Sequence, residues 1–581
     1  MSAAARLRVV PLGAADVAVE RRADGAVLLR SPHALGPHPR NLTERLAHWA
    51  RQDPTRVLAA QRAADGAWRS LTYAEAYARA RRVGQALLER GLSAERPVAI
   101  LSENSLEHLL VMLGALHVGV PCAPVSPAYS LLSTDHAKLR HVMALATPGL
   151  VFAQDARFAG AIAAAVPQDA EVLCGIVPEA EPTVRVDEAH ARTGPDTIAK
   201  LLFTSGSTGQ PKAVINTQRM WCANQQMLAQ SLPYLAAVPP VLVDWLPWHH
   251  TAGGSHNIGI VLYHGGTLYI DEGRPLPGLI EKTVRNLRDV GPTVYFNVPR
   301  GYEALLPFLR ADEALRRRFF SRLGLLQYAA AVLPQPVWGA YEALAAQTCG
   351  ERILWITGYG ATETAPCAMS TNRGAARAGT VGLPVDGLEM KLVPVNDKLE
   401  ARFRGPSITP GYWRQPELTR AAFDEEGYYC TGDALRFLDA ADPAQGLEFD
   451  GRIAEDFKLT TGTWVSVGPL RAQVIAAGDP WVQDVVLAGH DRNEVCALVI
   501  PRPGAQDPDL QKLLDALAAR STGSSNRIAR ALLLPGPLSI DAGEITDKGS
   551  VNQRAVLRAR ADLVELLYAE PAAPPVLKAR T

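Results

Sequence analysis

The chain has 581 residues, room for roughly four units of ordinary domain size, although larger single domains are common. Apolar residues make up 48% and charged residues 20%, which allows a large buried core and excludes wholesale disorder. The 59 lysines and arginines balance 59 aspartates and glutamates, so neither nucleic-acid binding nor a polybasic membrane anchor is signalled.

The N-terminal stretch from Met1 to Glu20 lacks the apolar core of a signal peptide. Thr72-Tyr73-Ala74-Glu75 is a capping box, and the helical pattern behind it stops at Gly91. Pro97 to Leu101 reads as a short buried strand. Asn104-Ser105-Leu106-Glu107 then opens a helix with Leu109, Leu110, Leu113 and Leu116 at helical spacing. The apolar run Leu109 to Val125 is broken by His117 and Pro121, which excludes a membrane span. Pro121 to Val125 supplies another strand, and the alternation recurs at Leu150 to Ala153, Val172 to Val177 and Ile353 to Ile356. Strand, helix and strand at this spacing predict an α/β region with parallel-rich sheets covered by helices.

Beyond residue 452 the pattern changes. Asp484 to Ala488 and Val495 to Ile500 read as strands around a turn at His490 to Asn493. Asp507 to Ala519 and Val551 to Leu567 read as helices, and Pro571 to Pro575 as a tail that frays. The expected organisation is a large N-terminal α/β domain, residues 1–452, and a small α+β C-terminal domain, residues 453–581. Seven cysteines without a C-x-x-C pair read as reduced thiols, so the expected compartment is the cytoplasm. Oligomeric state is not legible.

Only 10 of the 59 basic residues are lysines, which makes a lysine inside a polar motif informative. One follows Leu201-Leu202-Phe203, in the loop Thr204-Ser205-Gly206-Ser207-Thr208-Gly209-Gln210-Pro211-Lys212. Glycines let backbone N–H groups turn toward an anion, hydroxyls add donors, and lysine adds charge. The spacing is not that of the P-loop, which needs G-x-x-x-x-G-K-[ST] between strand and helix. Here the loop joins two strands, and composition alone leaves a flexible hairpin loop open as the alternative.

This stretch resembles the phosphate-binding loop of the adenylate-forming superfamily, with Ala213 where the family usually has glycine. Further segments agree in type and order. Gly358-Tyr359-Gly360-Ala361-Thr362-Glu363 resembles the second nucleotide motif, in which the aromatic lies against adenine, threonine meets phosphate and glutamate helps hold magnesium. Tyr429-Cys430-Thr431-Gly432-Asp433 resembles the segment whose aspartate takes the ribose hydroxyls, and Gly451-Arg452 the site whose arginine touches ribose and phosphate. Tyr328-Ala329-Ala330-Ala331 resembles the small-residue segment that lets adenine approach the backbone, with a buried strand as the alternative. In Leu246-Pro247-Trp248-His249-His250 the resemblance puts His250 at the substrate carboxylate. His249, His250 and His256 lack zinc spacing.

Lys458 stands where the family directs a lysine at the nucleotide, and the hinge is left open among Ala454, Glu455 and Asp456. The family's catalytic lysine follows a glycine, where this chain has Ser550. Lys548, two residues earlier, is the lysine of that loop. Arg30 to Gly36, Asp244 to Trp248, Phe457 to Gly462 and Ile545 to Gly549 further resemble the feruloyl-CoA synthase branch of the superfamily.

The resemblance implies an ATP-dependent acid–CoA ligase that uses Mg2+ and coenzyme A and joins a small carboxylic acid, ferulate or a related hydroxycinnamate, to the thiol through an acyl-adenylate. A long-chain fatty acid is the alternative substrate. The implied catalytic groups are Lys548, His250, Thr208 and Lys212. The implied nucleotide site runs from Thr204 through Ser205, Gly206, Ser207, Thr208 and Gly209 to Lys212. It continues with Ala330, Tyr359, Gly360, Thr362, Glu363, Asp433, Arg452 and Lys458, with Glu363 and Thr208 on the metal.

Overall fold

The computed structural model describes residues 5–205, 210–372, 377–502, 509–546 and 549–580. Among them, Val98–Leu101 lies at the centre of a sheet between Cys122–Val125 and Leu150–Ala153, all three strands buried throughout and parallel. Burial on both faces accounts for their continuous apolar sequences. Glu171–Cys174 adds one edge and Ile198–Ser205 extends the other side, again in parallel. The outermost strand, Pro211–Thr217, folds back antiparallel on Ile198–Ser205. The phosphate-type loop therefore joins two paired strands, as its flanking apolar runs predict.

The capping box forms as expected. Thr72 accepts the Glu75 N–H, Glu75 accepts the Thr72 N–H, and the helix Tyr73–Glu89 follows. Ser105 caps Leu106–His117, which is buried nearly all round because it lies between the sheet and neighbouring helices. The strand expected at Val172 to Val177 is instead Glu171–Cys174. Gly175, at φ +70°, turns the chain away from the sheet.

A second sheet pairs Val241–Asp244, Thr267–Ile270, Val57–Arg62 and Trp68–Thr72. A third and longer one runs from parallel strands Val294–Asn297, Leu325–Tyr328 and Leu354–Gly360 into an antiparallel region that includes Tyr429–Phe437 and Leu447–Arg452. The strand expected at Ile353 to Ile356 thus continues to Gly360 and pairs with Cys367–Ser370. Glycine makes this possible, since a Cβ at Gly360 would lie 1.6 Å from the Pro366 carbonyl oxygen.

The C-terminal unit is α+β with its own core. Val482–Ala488, Val495–Pro501, Ile528–Leu533 and Leu577–Lys578 form its sheet, and Val467–Ala477 and Leu510–Ala519 pack on it through Leu470, Val474, Leu513 and Leu514. The helix expected from Val551 to Leu567 is two helices, Gln553–Ala559 and Ala561–Tyr568. The break falls at Arg560, which donates to the buried carboxylate of Glu544 and to the Pro537 carbonyl. The segment Pro571 to Pro575, expected to fray, is mostly exposed, and the chain beyond it returns to the sheet, with Val576 buried and Leu577–Lys578 paired to Ala531 and Arg530.

The C-terminal unit touches the large domain through polar contacts. Asp541 accepts from Ser133 Oγ at 2.6 Å and from the Thr134 N–H and hydroxyl at 3.0 and 2.8 Å. Lys138 donates to the Ile540 carbonyl. Lys398 of the large domain forms an ion pair with Asp456 at 2.6 Å, both side chains nearly buried. No helix among the described residues is long and apolar enough to cross a membrane.

Asp541→Ala removes a charged acceptor from three donors at once. Hydrogen exchange at the Thr134 amide is expected to accelerate at least about tenfold, equivalent to roughly 1.4 kcal/mol. Exchange in the strand Val495–Pro501, inside the separate C-terminal core, should stay at the wild-type rate.

Candidate active site

The strand pair Ile198–Ser205 and Pro211–Thr217 brings Thr204 opposite Lys212 and Ser205 opposite Pro211. Gly206, Ser207, Thr208 and Gly209 lie outside the described residues, as does the side chain of Ser205. Thr204 Oγ1 is buried and has no hydrogen-bond partner among the described residues.

Lys212 Nζ lies 2.7 Å from the Tyr412 hydroxyl and 3.3 Å from the Glu363 carboxylate, and the Tyr412 hydroxyl is 3.0 Å from the same carboxylate oxygen. The ammonium also sits over the Tyr412 ring, 4.3 Å from its centroid. Burial works against charge on Lys212. Glu363 and Tyr412 outweigh it and hold the ammonium above the usual lysine value. Glu363 is 5% exposed and sits in the turn Thr362–Thr364, where its backbone carbonyl accepts the Thr409 N–H. Thr362 is buried beside it.

Tyr412 escaped the sequence reading. It is carried by residues 409–413, which run along the free edge of Pro211–Thr217. The Ile215 N–H reaches the Gly411 carbonyl and the Trp413 N–H reaches that of Ala213. Gly411 packs so closely on Thr419 that a Cβ would lie 2.4 Å from its side chain. A tyrosine directly after a Pro-Gly turn was the available signal, but turn chemistry alone does not say which sheet edge the segment will cover.

A second cluster adjoins the first. The Tyr359 hydroxyl donates to Asp433 at 2.7 Å, and Arg452, opposite Asp433 in the register of Tyr429–Phe437 and Leu447–Arg452, is 3.4 Å from the same carboxylate. Burial raises the Asp433 carboxyl above its usual range, although Arg452 and Tyr359 pull the other way. Arg452 is 66% exposed along its side chain. Tyr429 lies between the clusters, close enough to feel Glu363, Tyr412 and Tyr359.

Ala330 follows the strand Leu325–Tyr328 and is exposed at φ +74°, a conformation that non-glycine residues seldom adopt. The buried-strand alternative for this segment therefore ends at Tyr328. Ala329 packs on Trp245, Leu246 and Phe296, so this segment meets the one that carries His250. His249 and His250 are nearly buried, their rings 4.2 Å apart, just ahead of the π-helical turn Ala252–Asn257. Trp248 points into the main core against His108, whereas Trp245 lies toward Ala329. Among the described residues no group of three or more His, Cys, Asp and Glu is placed to hold a metal.

Lys458 is exposed in the two-stranded ribbon Phe457–Lys458 and Trp464–Val465. No described hydrogen bond or ion pair joins it to either cluster. Of the three hinge candidates, Asp456 is the one pinned by Lys398; its carboxylate also accepts the Val467 N–H, and Ala454 and Glu455 lie in a short helical turn. Lys548 lies outside the described residues; on either side of it Ile545 is bridged to Val551 and the Thr546 N–H reaches the Ser550 carbonyl.

Residues 46–413 match the model of the AMP-binding enzyme family, and residues 457–572 that of the AMP-binding enzyme C-terminal domain. The chain belongs to the AMP-binding enzyme family. Malonate–CoA ligase of Arabidopsis thaliana is 28% identical over 58% of this chain and 57% of its own length. The chain spans about half the length of the first curated relatives it matches. 3-Hydroxybenzoate–CoA ligase of Aromatoleum sp. is 27% identical over 78% of the chain and 84% of its length, and long-chain-fatty-acid–CoA ligase FadD15 of Mycobacterium bovis 25% over 93% and 98%. The crystal structure of ATP-bound MatB from Rhodopseudomonas palustris shares the fold, with a TM-score of 0.68 at 24% identity over 90% of this chain and 99% of that one.

Asp244, at the end of the strand leading to Trp245, is fully buried. Burial pushes its carboxyl up to about 7, and the Asn257 amide and the Leu246 N–H only partly oppose this. A carboxyl raised in the folded state contributes stability that is present below about pH 4 and is lost as pH rises through 7. Asp244→Asn should remove that loss, up to about 4 kcal/mol. Thermal melts at pH 5 and pH 8 are expected to differ less in the variant than in the wild type.

Proposed function

We propose that this protein is an ATP-dependent acid–CoA ligase that makes an acyl-adenylate and then a CoA thioester, with ferulate or a related hydroxycinnamate as its acid. The observation that carries the ligase reading is the placement of the Lys212–Tyr412–Glu363 cluster beside Tyr359, Asp433 and Arg452, at the end of the strand pair bearing the phosphate-type loop. A cation and a carboxylate side by side suit a metal-bound polyphosphate, and an acceptor-only aspartate suits two ribose hydroxyls.

In the proposed mechanism Lys212 leaves Glu363 for the phosphates, and Asp433 and Arg452 hold the ribose. Tyr359 lines the base, and the strained backbone at Ala330 lets it approach. Glu363 would hold magnesium together with Thr208, the ion supplying neutralisation between the triphosphate and the protein carboxylate. The donor set fits, because Glu363 offers a hard oxygen and Mg2+ commonly takes one or two protein carboxylates plus phosphate oxygens. His250 receives the acid, whose oxygen attacks the α-phosphorus and releases pyrophosphate. The thiol of coenzyme A then attacks the acyl carbon and releases AMP. The protein chiefly positions the reactants and offsets developing charge. We place the domain boundary at 452/453, with Lys458 serving the nucleotide from the C-terminal side.

The hydroxycinnamate reading rests on the local sequence resemblance and gains support from the aromatic wall of Trp245 and Phe296 beside the His250 segment. A long-chain fatty acid is the second reading, favoured by the near full-length alignment with the M. bovis enzyme. An acid-dependent pyrophosphate-release screen with ferulate, 4-coumarate, benzoate and palmitate separates them. Ferulate or coumarate is expected to give a much higher kcat/KM than palmitate, and the reverse order would establish the second reading.

Lys548 is proposed as the cation that follows charge building around the α-phosphorus. Lys548→Ala is expected to cut acid-dependent ATP–pyrophosphate exchange at least about a hundredfold, or roughly 2.7 kcal/mol. Thioester formation from preformed acyl-adenylate should change far less. Wild-type rates in both assays would make Lys548 a bystander.

A further inference from the structure

Lys200 has no role in the site described so far, yet it is an unusual residue to find in the core. It is completely buried in Ile198–Ser205, and no carboxylate among the described residues lies within ion-pair distance of it. Its ammonium donates to the Gly254 carbonyl and to Ser255 Oγ, both at 2.7 Å, and lies 3.5 Å from the centroid of the Trp221 ring. Burial lowers it to about 7, and the nearby Cys122 thiol is itself pushed up to about 12, so no thiolate compensates it. An apolar side chain would fill this position at lower desolvation cost, and what the lysine adds is donors that hold a neighbouring segment.

What it holds is the π-helical turn Ala252–Asn257, a wide form of helix found mostly as single turns and frequently at functional sites. The turn is in backbone contact with the segment that presents His250. A Cβ on Gly253 would lie 2.3 Å from the Leu246 carbonyl oxygen, and one on Gly254 2.0 Å from that of Trp248. The Gly254 N–H donates to the His250 carbonyl at 2.7 Å, while its own carbonyl is the one Lys200 takes. Trp221 adds a bond from Nε1 to the Ser255 carbonyl. On its other side Lys200 belongs to the strand that ends in Thr204 and Ser205, and alternation along that strand puts Lys200 and Thr204 on one face.

We infer that Lys200 is a positioning residue. By gripping Gly254 and Ser255 it fixes the segment Leu246–His250 relative to the strand that enters the phosphate-type loop, and so keeps the acid and the nucleotide in register. This rests on the ligase reading for its catalytic consequence, but the grip itself is a property of the fold.

The test uses Lys200→Met, which keeps the length and apolar stem but loses the donors, and Ser255→Ala, which keeps the lysine and removes one acceptor. Two readouts are needed: hydrogen exchange of amides 250–257, and ATP–pyrophosphate exchange with the best acid from the screen. Lys200→Met is expected to raise KM for the acid at least tenfold with KM for ATP within twofold, and to speed exchange in 250–257 but not in Val98–Leu101. Ser255→Ala should move both readouts the same way by a few fold. An unchanged acid KM in Lys200→Met, or acid and ATP KM rising together, would overturn the inference. Should Lys200→Met fail to fold, an unchanged acid KM in Ser255→Ala overturns it instead. A wild-type enzyme that activates none of the acids sinks the ligase reading alone. Amide exchange in 250–257 then decides the positioning role, and unchanged rates in both variants refute it.

Discussion

The ion pair between Lys212 and Glu363, with Tyr412 between them, is the constraint on which the rest of the site depends. A glutamate that is 5% exposed needs a cation, and a mostly buried lysine needs an anion. Satisfying both joins three separate parts of the chain. These are the outer strand of the first sheet, the Thr362–Thr364 turn at the end of a strand in the third, and residues 409–413 on the free edge. The cluster is thus a structural joint whose components are also the groups that the proposed chemistry needs.

The two polar clusters are built differently, and the difference matches what the proposed chemistry asks of each. Lys212 and Glu363 are enclosed, so their attraction is little screened and their separation is costly unless another charge replaces the partner. Arg452 reaches Asp433 from solvent, an arrangement worth little to stability and easily exchanged for a ligand. Lys200 and Asp244 form a third class of single buried ionisable groups flanking the Ala252–Asn257 turn, each shifted toward its neutral form by burial. Both make hydrogen bonds but, among the described residues, lack a charged partner within ion-pair distance, and strongly shifted groups of this kind cluster at functional sites.

The C-terminal unit has an independent core, and among the described residues it attaches through hydrogen bonds, the buried ion pair Lys398–Asp456 and the ion pair Arg502–Glu303. Polar, limited contacts between domains permit relative motion, in contrast to the continuous apolar packing within each. The helix Ala137–Ala146 links that interface to the site: Lys138 at its start meets Ile540, and His141 one turn later bonds the Pro211 carbonyl beside the phosphate-type loop. A change in how the C-terminal unit is seated therefore has a short physical route to the loop.

The sequence by itself determined the α/β class, the buried parallel strands, the helix starts at Thr72 and Ser105 and the strand–loop–strand form around Lys212. These are local matters, since a cap, an apolar run or a glycine turn is decided within a few residues. What only the tertiary structure decided involves partners distant in sequence. Tyr412 enters the site because residues 409–413 cover a sheet edge two hundred positions earlier in the chain. The long helix expected after Val551 breaks because Glu544 captures Arg560. The final segment is ordered because Ile528–Leu533 offers it an unpaired edge. Lys200 is apolar-neighboured in sequence and reads as one more strand residue until folding sets Gly254 and Ser255 against its ammonium. Local pattern fixes which elements form, but burial and long-range hydrogen bonding determine which of their side chains act together.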